Sequence, residues 1–232
     1  MNRFRLPQKI ITLVLILALP GFLYYLLVSQ GKNRYKPLPI YGPKPLGKTF
    51  HQVRGRDIPD TLYHTLNNFE LKDQHGRNVS FKTFEKKIFV VNFFYTRCPT
   101  LCNQVNVNVD SLASAWSGNK MVKFISITVD PERDSVTILK NYAKKFKPFA
   151  NWVFLTGDTA TIYNLARKGF LVDALKTGND DFIYSNKLIL IDSEKRIRGY
   201  YSGLSADDIT RLNDELKVLI TEELRKIDKP LY

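Results

Sequence analysis

The stretch K-I-F-V-V-N-F-F-Y, residues 87–95, constrains the fold of this chain more than any other part of its sequence. Most of its apolar residues are β-branched or aromatic, the types favoured in strands. They follow one another without the polar alternation of a strand that has one solvated face. Such a continuous run is typical of a strand in the interior of a sheet that is covered on both sides. It therefore predicts a layered protein with helices on both faces of a sheet.

Helices and strands alternate after this run. Apolar residues that follow Cys98 at intervals of three or four predict a helix from Pro99 with one buried face and an Asn-rich outer face. Strands are also predicted at 121–129 and 152–155, helices from 134 or 135 to about 147, at 159–169 and from 205, and hairpins that pair 69–71 with 79–81 and 187–191 with 197–201. Together these elements predict an α/β three-layer sandwich with a mixed central sheet.

The N-terminal region differs from a globular sequence. Residues 10–28 carry no charge, and about 20 apolar residues cross a bilayer as a helix. A cleaved signal peptide is the alternative, but its apolar region is only about 7 to 15 residues long and ends at a small-x-small site. This run is longer, and Val28-Ser29-Gln30 is a poor cleavage site. We therefore expect one uncleaved transmembrane helix at 10–28, preceded by a short cytoplasmic tail at 1–9.

The basic charge is concentrated next to this apolar run. Of the net charge of +13, residues 31–60 carry +5, from seven basic and two acidic residues. Anionic lipid headgroups or an acidic partner would suit this segment. Nucleic acid is not an expected partner, because the basic residues are not gathered on one folded face with interleaved aromatic residues. Prolines recur in the same region, so we expect a stiff, basic tether at 29–62 and a folded domain at 63–232.

Cys98 and Cys102 are the only cysteines in the chain. They follow the predicted interior strand, at the start of the predicted helix, where free N–H groups and the helix dipole stabilise a thiolate. Arg97 adds positive charge beside them. Because residues four apart share a helix face, both sulfurs emerge together, and Cys98 is expected to be the more reactive thiol. Such a pair can close a disulfide, exchange electrons with another dithiol, or hold a soft metal such as Cu(I).

Three simpler interpretations of the cysteines remain open. Two inert buried thiols are common in cytosolic proteins, but these two lie together in one strand-to-helix turn. A purely structural disulfide is another interpretation, although so short a loop constrains the unfolded chain little. A zinc site would need two more ligands, and none lies nearby in the sequence. A redox or copper function is therefore favoured.

The motifs F-F-Y-T-R-C-P-T-L-C, I-S-I-T-V-D-P-E-R-D, W-V-F-L-T-G-D and L-I-L-I-D-S-E-K-R-I-R-G-Y-Y resemble the SCO (SenC-type) family over about residues 63–225. The resemblance implies a thioredoxin-like domain on a single membrane anchor, facing the periplasm or the mitochondrial intermembrane space. It implies copper binding through Cys98, Cys102 and a distal histidine. It also implies assistance in assembling the copper centre of cytochrome c oxidase, as copper donor or thiol reductant. Thr100 and Asn103 depart from the acid and the proline that are common in the family.

The distal histidine of the family is replaced here. Where the family pattern resembles F-I-H-S, this chain has F-I-Y-S, with Tyr184 at the histidine position. His51, His64 and His75 all precede the cysteines, and a replacement ligand among them stays open. A neutral phenol is a poor copper ligand, whereas Cu(I) tolerates two thiolates alone. We therefore expect Cu(I) to be favoured over Cu(II), whether Tyr184 is an activated ligand or packs over the cysteines as a lid.

Asp130-Pro131-Glu132-Arg133-Asp134 follows the strand predicted at 121–129. One interpretation is a turn followed by a helix cap. The other is a polar network that positions the cysteine loop or a partner. No acid of this motif is expected to be catalytic.

Three functions are compatible with these observations. The first is a metallochaperone rather than an enzyme, on the periplasmic side of the inner membrane, serving a copper-oxidase subunit or another periplasmic thiol or copper protein. The second is a membrane-tethered thiol–disulfide oxidoreductase that uses Cys98 and Cys102 as its catalytic redox pair. The third is a redox-sensing module that no longer transfers metal.

Overall fold

The described part of this computed structural model comprises residues 5–30, 37–53, 55–98, 101–147, 150–178 and 182–228. Its helices and strands are, in chain order, α1 (Arg5–Gln30), β1 (Leu46–Val53), β2 (Arg56–Thr61), β3 (Leu71–Asp73), β4 (Asn78–Val79), β5 (Ile88–Phe94), α2 (Leu101–Ala115), β6 (Val122–Thr128), α3 (Val136–Ala143), β7 (Trp152–Thr156), α4 (Thr159–Asn164), β8 (Ala174–Lys176), β9 (Phe182–Tyr184), β10 (Lys187–Ile191), β11 (Ile197–Ser202) and α5 (Ala206–Asp228). The helix start predicted at Pro99 lies outside the described residues, as do Thr100 and residues 31–36 of the predicted tether.

The chain divides into two units, Met1–Lys36 and Pro37–Tyr232. The described element of the first unit is α1, which contains Pro20. Its large apolar side chains between Leu13 and Tyr25 are exposed. Among the described residues, no helix combines the length and the apolar character that crossing a bilayer requires. The anchor expected at 10–28 therefore stays a prediction.

The second unit is built on a seven-stranded mixed sheet in the order β11-β10-β5-β6-β7-β3-β4. Strands β5, β6 and β7 are parallel, because helical crossovers connect them. Strands β10 and β3 pair antiparallel with β5 and β7. The interior strand predicted at 87–95 is confirmed as β5, whose seven residues are all buried.

Alternate residues of β5 enter two separate cores, one on each face of the sheet. Phe89, Val91 and Phe93 face the first core, and Ile88, Val90 and Phe94 face the second. Helix α4 and the helical turn that follows it contribute to the first core. Helices α2, α3 and α5 cover the second core. The predicted three-layer α/β sandwich is therefore confirmed in the described residues.

One asparagine of α2 does not lie on the outer face that the sequence predicts for these residues. Asn106 is fully buried. It accepts a hydrogen bond from the side chain of Asn92 on β5 (2.9 Å) and donates one to the hydroxyl of Tyr142 on α3 (3.0 Å). A buried amide is stable only when its polar atoms are paired, so these bonds fix α2 against both neighbours.

The segment 37–61 differs from the extended tether that the sequence predicts. Strands β1 and β2 form an antiparallel hairpin. The buried guanidinium of Arg198 on β11 donates to the carbonyl oxygens of Leu38 (2.7 Å) and Pro39 (3.2 Å). The backbone N–H of Tyr41 donates to the carbonyl of Ile197 (2.8 Å). The proline content of this segment indicates that the chain is stiff. It does not indicate whether the segment packs against the folded domain, as residues 38–41 do against β11.

Two further differences concern the C-terminal half of the domain. The helix predicted at 159–169 is α-helical only to Asn164 and continues as a π-helical turn to Gly169. The short antiparallel pair β8 and β9 was not predicted. Each of its strands has three residues, too few for a periodic pattern to reveal.

Candidate dithiol and metal site

Cys98 and Cys102 form a disulfide in the structure, with their Cα atoms 5.8 Å apart. Cys98 lies in the loop after β5, and Cys102 lies in the first described turn of α2. The backbone N–H of Cys102 donates to Sγ of Cys98 (3.2 Å). Cys98 is partly exposed, whereas Cys102 is only 2% exposed. The two sulfurs lie together as predicted, but Cys102 is buried rather than exposed on the helix face.

Tyr184 lies at the end of β9 and reaches both sulfurs. Its hydroxyl oxygen is 2.9 Å from Sγ of Cys102 and 3.2 Å from Sγ of Cys98. A disulfide sulfur carries no hydrogen, so the phenol is the donor. Its ring packs edge-on against Tyr95, with the ring centroids 5.6 Å apart. Tyr184 therefore packs over the cysteines, one of the two arrangements that the sequence left open.

The phenol of Tyr184 stays protonated at neutral pH. Burial raises the pKa of Tyr184 to about 12, and the neighbouring Tyr95 and Tyr142 contribute to the rise. A phenol in this state donates a hydrogen bond, whereas a metal ligand must offer an unprotonated atom. Tyr184 is therefore suited to holding a sulfur rather than a metal ion.

The acidic motif after β6 supports the cysteine loop. The buried carboxylate of Asp134 accepts hydrogen bonds from the backbone N–H of Thr96 (3.0 Å) and from its hydroxyl (2.5 Å). The hydroxyl of Thr128 donates to the same carboxylate. Thr96 is two residues before Cys98, so Asp134 holds the loop that carries this cysteine.

The same motif also holds the strand pair that carries Tyr184. The carboxylate of Glu132 pairs with Lys176 on β8 (2.7 Å), and β8 pairs with β9 through the register partners Ala174 and Tyr184.

Ser135 caps α3 by accepting from the backbone N–H of Ile138 (3.4 Å). Both interpretations of the motif are thus correct, the helix cap and the positioning network. Sequence analysis missed Thr96 and Lys176, because nothing in the local pattern links them to the acids.

Asp130 is the remaining acid of this motif that is buried. Its Oδ2 has no hydrogen-bond partner among the described residues, and Arg133 is 3.8 Å away. Burial raises the pKa of Asp130 above its ordinary value, and the nearby charge of Asp134 raises it further.

Two of the three histidines have side-chain partners elsewhere in the domain. His51 pairs with Asp60 (2.7 Å) in the β1–β2 hairpin. Nε2 of His64 is hydrogen-bonded to the carbonyl of Gly169 (2.7 Å), and His75 lies in the turn between β3 and β4. In the described part of the chain, no three His, Cys, Asp or Glu side chains come together as a metal-binding group. When reduced, the cysteines offer two thiolates, which fit Cu(I) but leave Cu(II) without a nitrogen ligand.

The mixed sheet with its layers of helices, and the disulfide at the strand-to-helix turn, define a thioredoxin-like protein with a dithiol site. The chain belongs to the SCO1/SenC family, whose model matches residues 59–220.

Individual relatives agree with this assignment. The SCO1 protein homolog of Bacillus subtilis is 29% identical over 154 residues, which cover 65% of this chain and 80% of that protein. The copper-bound structure of ScoI from Bradyrhizobium japonicum is 28% identical with a TM-score of 0.55, over 63% of this chain and 98% of the other. BsSco is a member of the Sco family of cytochrome c oxidase assembly proteins, and a disulfide switch was identified in it. Its structure is 27% identical to this chain with a TM-score of 0.62, and the match covers 70% of this chain and 96% of BsSco.

Proposed function

We propose that this chain is a membrane-anchored protein that binds copper and exchanges electrons at Cys98 and Cys102, and that it assists assembly of the copper centre of cytochrome c oxidase. The observation that carries the proposal is the disulfide itself: two sulfurs close enough to bond, at the turn between β5 and α2 of an SCO1/SenC domain. The copper-bound relative supports the metal, and the disulfide switch of BsSco supports the redox step.

Copper is cargo in this proposal, and the reduced cysteines hold it. Cys98 and Cys102 supply two thiolates, a donor set that suits Cu(I) because a soft ion accepts low coordination by sulfur. Tyr184 contributes a protonated hydroxyl and no metal bond. The cargo is therefore Cu(I) rather than Cu(II). The recipient is a copper-oxidase subunit or another thiol or copper protein outside the cytoplasm.

Anaerobic titration of the reduced full-length chain in detergent with Cu(I) tests the proposal. One Cu(I) should bind per chain, in competition with a chelator of known affinity. The Cys98→Ser and Cys102→Ser variants should each lose most of this affinity. Wild-type protein that binds no Cu(I) would remove copper from the proposal.

A second function, thiol–disulfide oxidoreductase, is favoured by one specific observation. The position that carries a histidine ligand in the resembled family holds the hydroxyl of Tyr184, which is bonded to sulfur. This function predicts that copper is absent after anaerobic purification and that the reduced chain transfers two electrons to a peptide disulfide. Copper retained at one ion per chain favours the metallochaperone instead.

We also propose that residues 10–28 anchor the chain in the inner membrane, with the tail in the cytoplasm and the domain in the periplasm. The uncharged run supports this, as does the exposure of the apolar side chains of α1. The full chain should sediment with the membranes, and protease added outside spheroplasts should degrade the domain. Recovery of soluble protein trimmed near residue 30 would contradict the anchor.

A further inference from the structure

The two sulfurs of the disulfide have different surroundings. Sγ of Cys98 accepts the backbone N–H of Cys102 at 3.2 Å and is partly exposed. Sγ of Cys102 is buried, and the hydroxyl of Tyr184 lies 2.9 Å from it. The same hydroxyl is farther from Cys98, at 3.2 Å. A phenol has one hydrogen to donate, and the shorter distance assigns it to Cys102.

We propose that Tyr184 is a catalytic residue of thiol–disulfide exchange at this site: its hydroxyl donates to Sγ of Cys102 as that sulfur leaves, and so directs an incoming thiolate to Cys98. This inference rests on the proposed redox function of the dithiol and assigns a role in it to the residue at the histidine position.

The exchange reaction balances with a dithiol of a partner protein as reductant. A partner thiolate attacks Sγ of Cys98 and forms a mixed disulfide. The bond between Cys98 and Cys102 breaks, and its electron pair goes to Sγ of Cys102, which becomes a thiolate held by the Tyr184 hydroxyl. The second partner thiolate then attacks the partner sulfur of the mixed disulfide and releases Cys98 as a thiolate. Two electrons enter this chain, and the partner leaves as a disulfide.

The direction of attack follows from access, because the backbone N–H of Cys102 would stabilise Cys98 as a leaving group as well. Sγ of Cys102 is covered, so an incoming thiolate meets Cys98 first. The charge then develops on Cys102, where the hydroxyl already lies. A hydrogen bond to a charged atom is stronger than one to a neutral atom, so the hydrogen bond from Tyr184 to Cys102 strengthens as the disulfide breaks. An interaction that is stronger in the transition state than in the ground state lowers the activation barrier of the reaction.

The phenol is held in place from two sides. Tyr95 packs against its ring, with 5.6 Å between centroids. The strand pair that carries it is joined to the acidic motif through Lys176 and Glu132 (2.7 Å). A group that is already positioned needs no reorganisation when charge appears.

The test is the rate at which dithiothreitol reduces the disulfide of the full-length chain in detergent. Tyr184→Phe keeps the ring and removes the hydroxyl. Tyr200→Phe is the matched control: its hydroxyl donates to the carbonyl of Phe170 (2.9 Å), and burial likewise raises the pKa of Tyr200 to about 12. We expect Tyr184→Phe to lower the rate constant by about tenfold, since one hydrogen bond to a charged atom contributes on this scale. Tyr200→Phe should leave it unchanged.

A second measurement uses the unaltered chain and so does not depend on whether a variant folds. The mixed disulfide with glutathione is trapped by acid and located by mass spectrometry, and it should lie on Cys98. A mixed disulfide mainly on Cys102 overturns the proposal, as does an unchanged rate in Tyr184→Phe or an equal loss in Tyr200→Phe. Neither measurement involves copper or a partner protein, so failure here is distinct from failure of the Cu(I) titration.

Discussion

The hydroxyl of Tyr184 lies 2.9 Å from Sγ of Cys102, although 82 residues separate them in the chain. The cysteines are placed by β5 and α2, whereas Tyr184 is placed by the pair β8 and β9. The site therefore exists only in the folded domain. A residue at the end of a short strand thus contacts both sulfurs.

Replacing Tyr184 by histidine should restore Cu(II) binding. An imidazole offers an unprotonated nitrogen near both sulfurs, whereas the phenol stays protonated. We expect the variant to bind Cu(II) at least about a hundredfold more tightly than wild type, and Cu(I) less than about tenfold more tightly, because two thiolates already satisfy Cu(I). Anaerobic titration followed by thiolate-to-copper charge-transfer absorption measures both.

The Tyr184→Phe variant is the control for that titration, and it should bind Cu(II) no better than wild type. A stable Cu(II)–thiolate complex in wild type would mean that another residue supplies the missing ligand. His64 is then the first to replace, by His64→Gln. Failure of every variant to bind copper would leave the oxidoreductase function.

Cys98 should be the more reactive thiol of the reduced chain. It is partly exposed and accepts a backbone N–H, whereas Cys102 is 2% exposed. We expect Cys102→Ser, which retains Cys98, to be alkylated by iodoacetamide about ten times faster than Cys98→Ser. The rates are measured over a range of pH by mass spectrometry. Equal rates, or faster reaction of Cys102, would reverse the assignment.

Asp134→Asn should destabilise the domain by about 2 to 3 kcal/mol, since it weakens a buried charged acceptor of several hydrogen bonds. Those bonds come from Thr96 and Thr128. Urea denaturation measures the free energy of unfolding. Asp57→Asn, the same change at an exposed site, should change it by less than about 0.5 kcal/mol. Equal effects of the two substitutions would show that the network contributes nothing.

Asp130→Asn should stabilise the domain increasingly as pH rises. The pKa of Asp130 is raised in the folded chain from an ordinary 3.8. The folded state thus holds this proton more tightly than the unfolded state, so the unfolding free energy falls as pH rises from the unfolded pKa through the folded one. The substitution removes that fall. Urea denaturation of both proteins at about pH 3.5, 5 and 7 should give a growing difference, and a constant difference would contradict the assignment.

The sequence predicts the parts of this fold that depend on local patterns. The run at 87–95 indicates an interior strand because its residues have the same character whichever face they occupy. The spacing of Leu101, Val105 and Val109 indicates α2 because a helix repeats every 3.6 residues. The position of Cys98 at a strand-to-helix turn follows from these two elements. The dithiol was therefore predictable without coordinates.

Other parts depend on contacts between distant segments, and local patterns do not report those. The importance of position 184 was predicted from a family resemblance rather than from its neighbours. Lys176 and Glu132 are 44 residues apart, and no spacing rule pairs them. Asn106 looks like a surface amide because its partners on β5 and α3 are unknown until the chain folds. Pro39 belongs to a proline-rich segment, yet its carbonyl is an acceptor for Arg198.

The contacts of Arg198 also decide where the chain can be shortened. Its guanidinium is 3% exposed and bonds to Asp192, Glu222 and the carbonyls of Leu38 and Pro39. A shortened chain that begins at residue 46 or later lacks the carbonyls of Leu38 and Pro39. The buried guanidinium of Arg198 would then have lost two hydrogen-bond acceptors at a position that water does not easily reach. Expression of the domain without α1 should therefore start no later than Pro37, well before the motifs that mark the domain in the sequence.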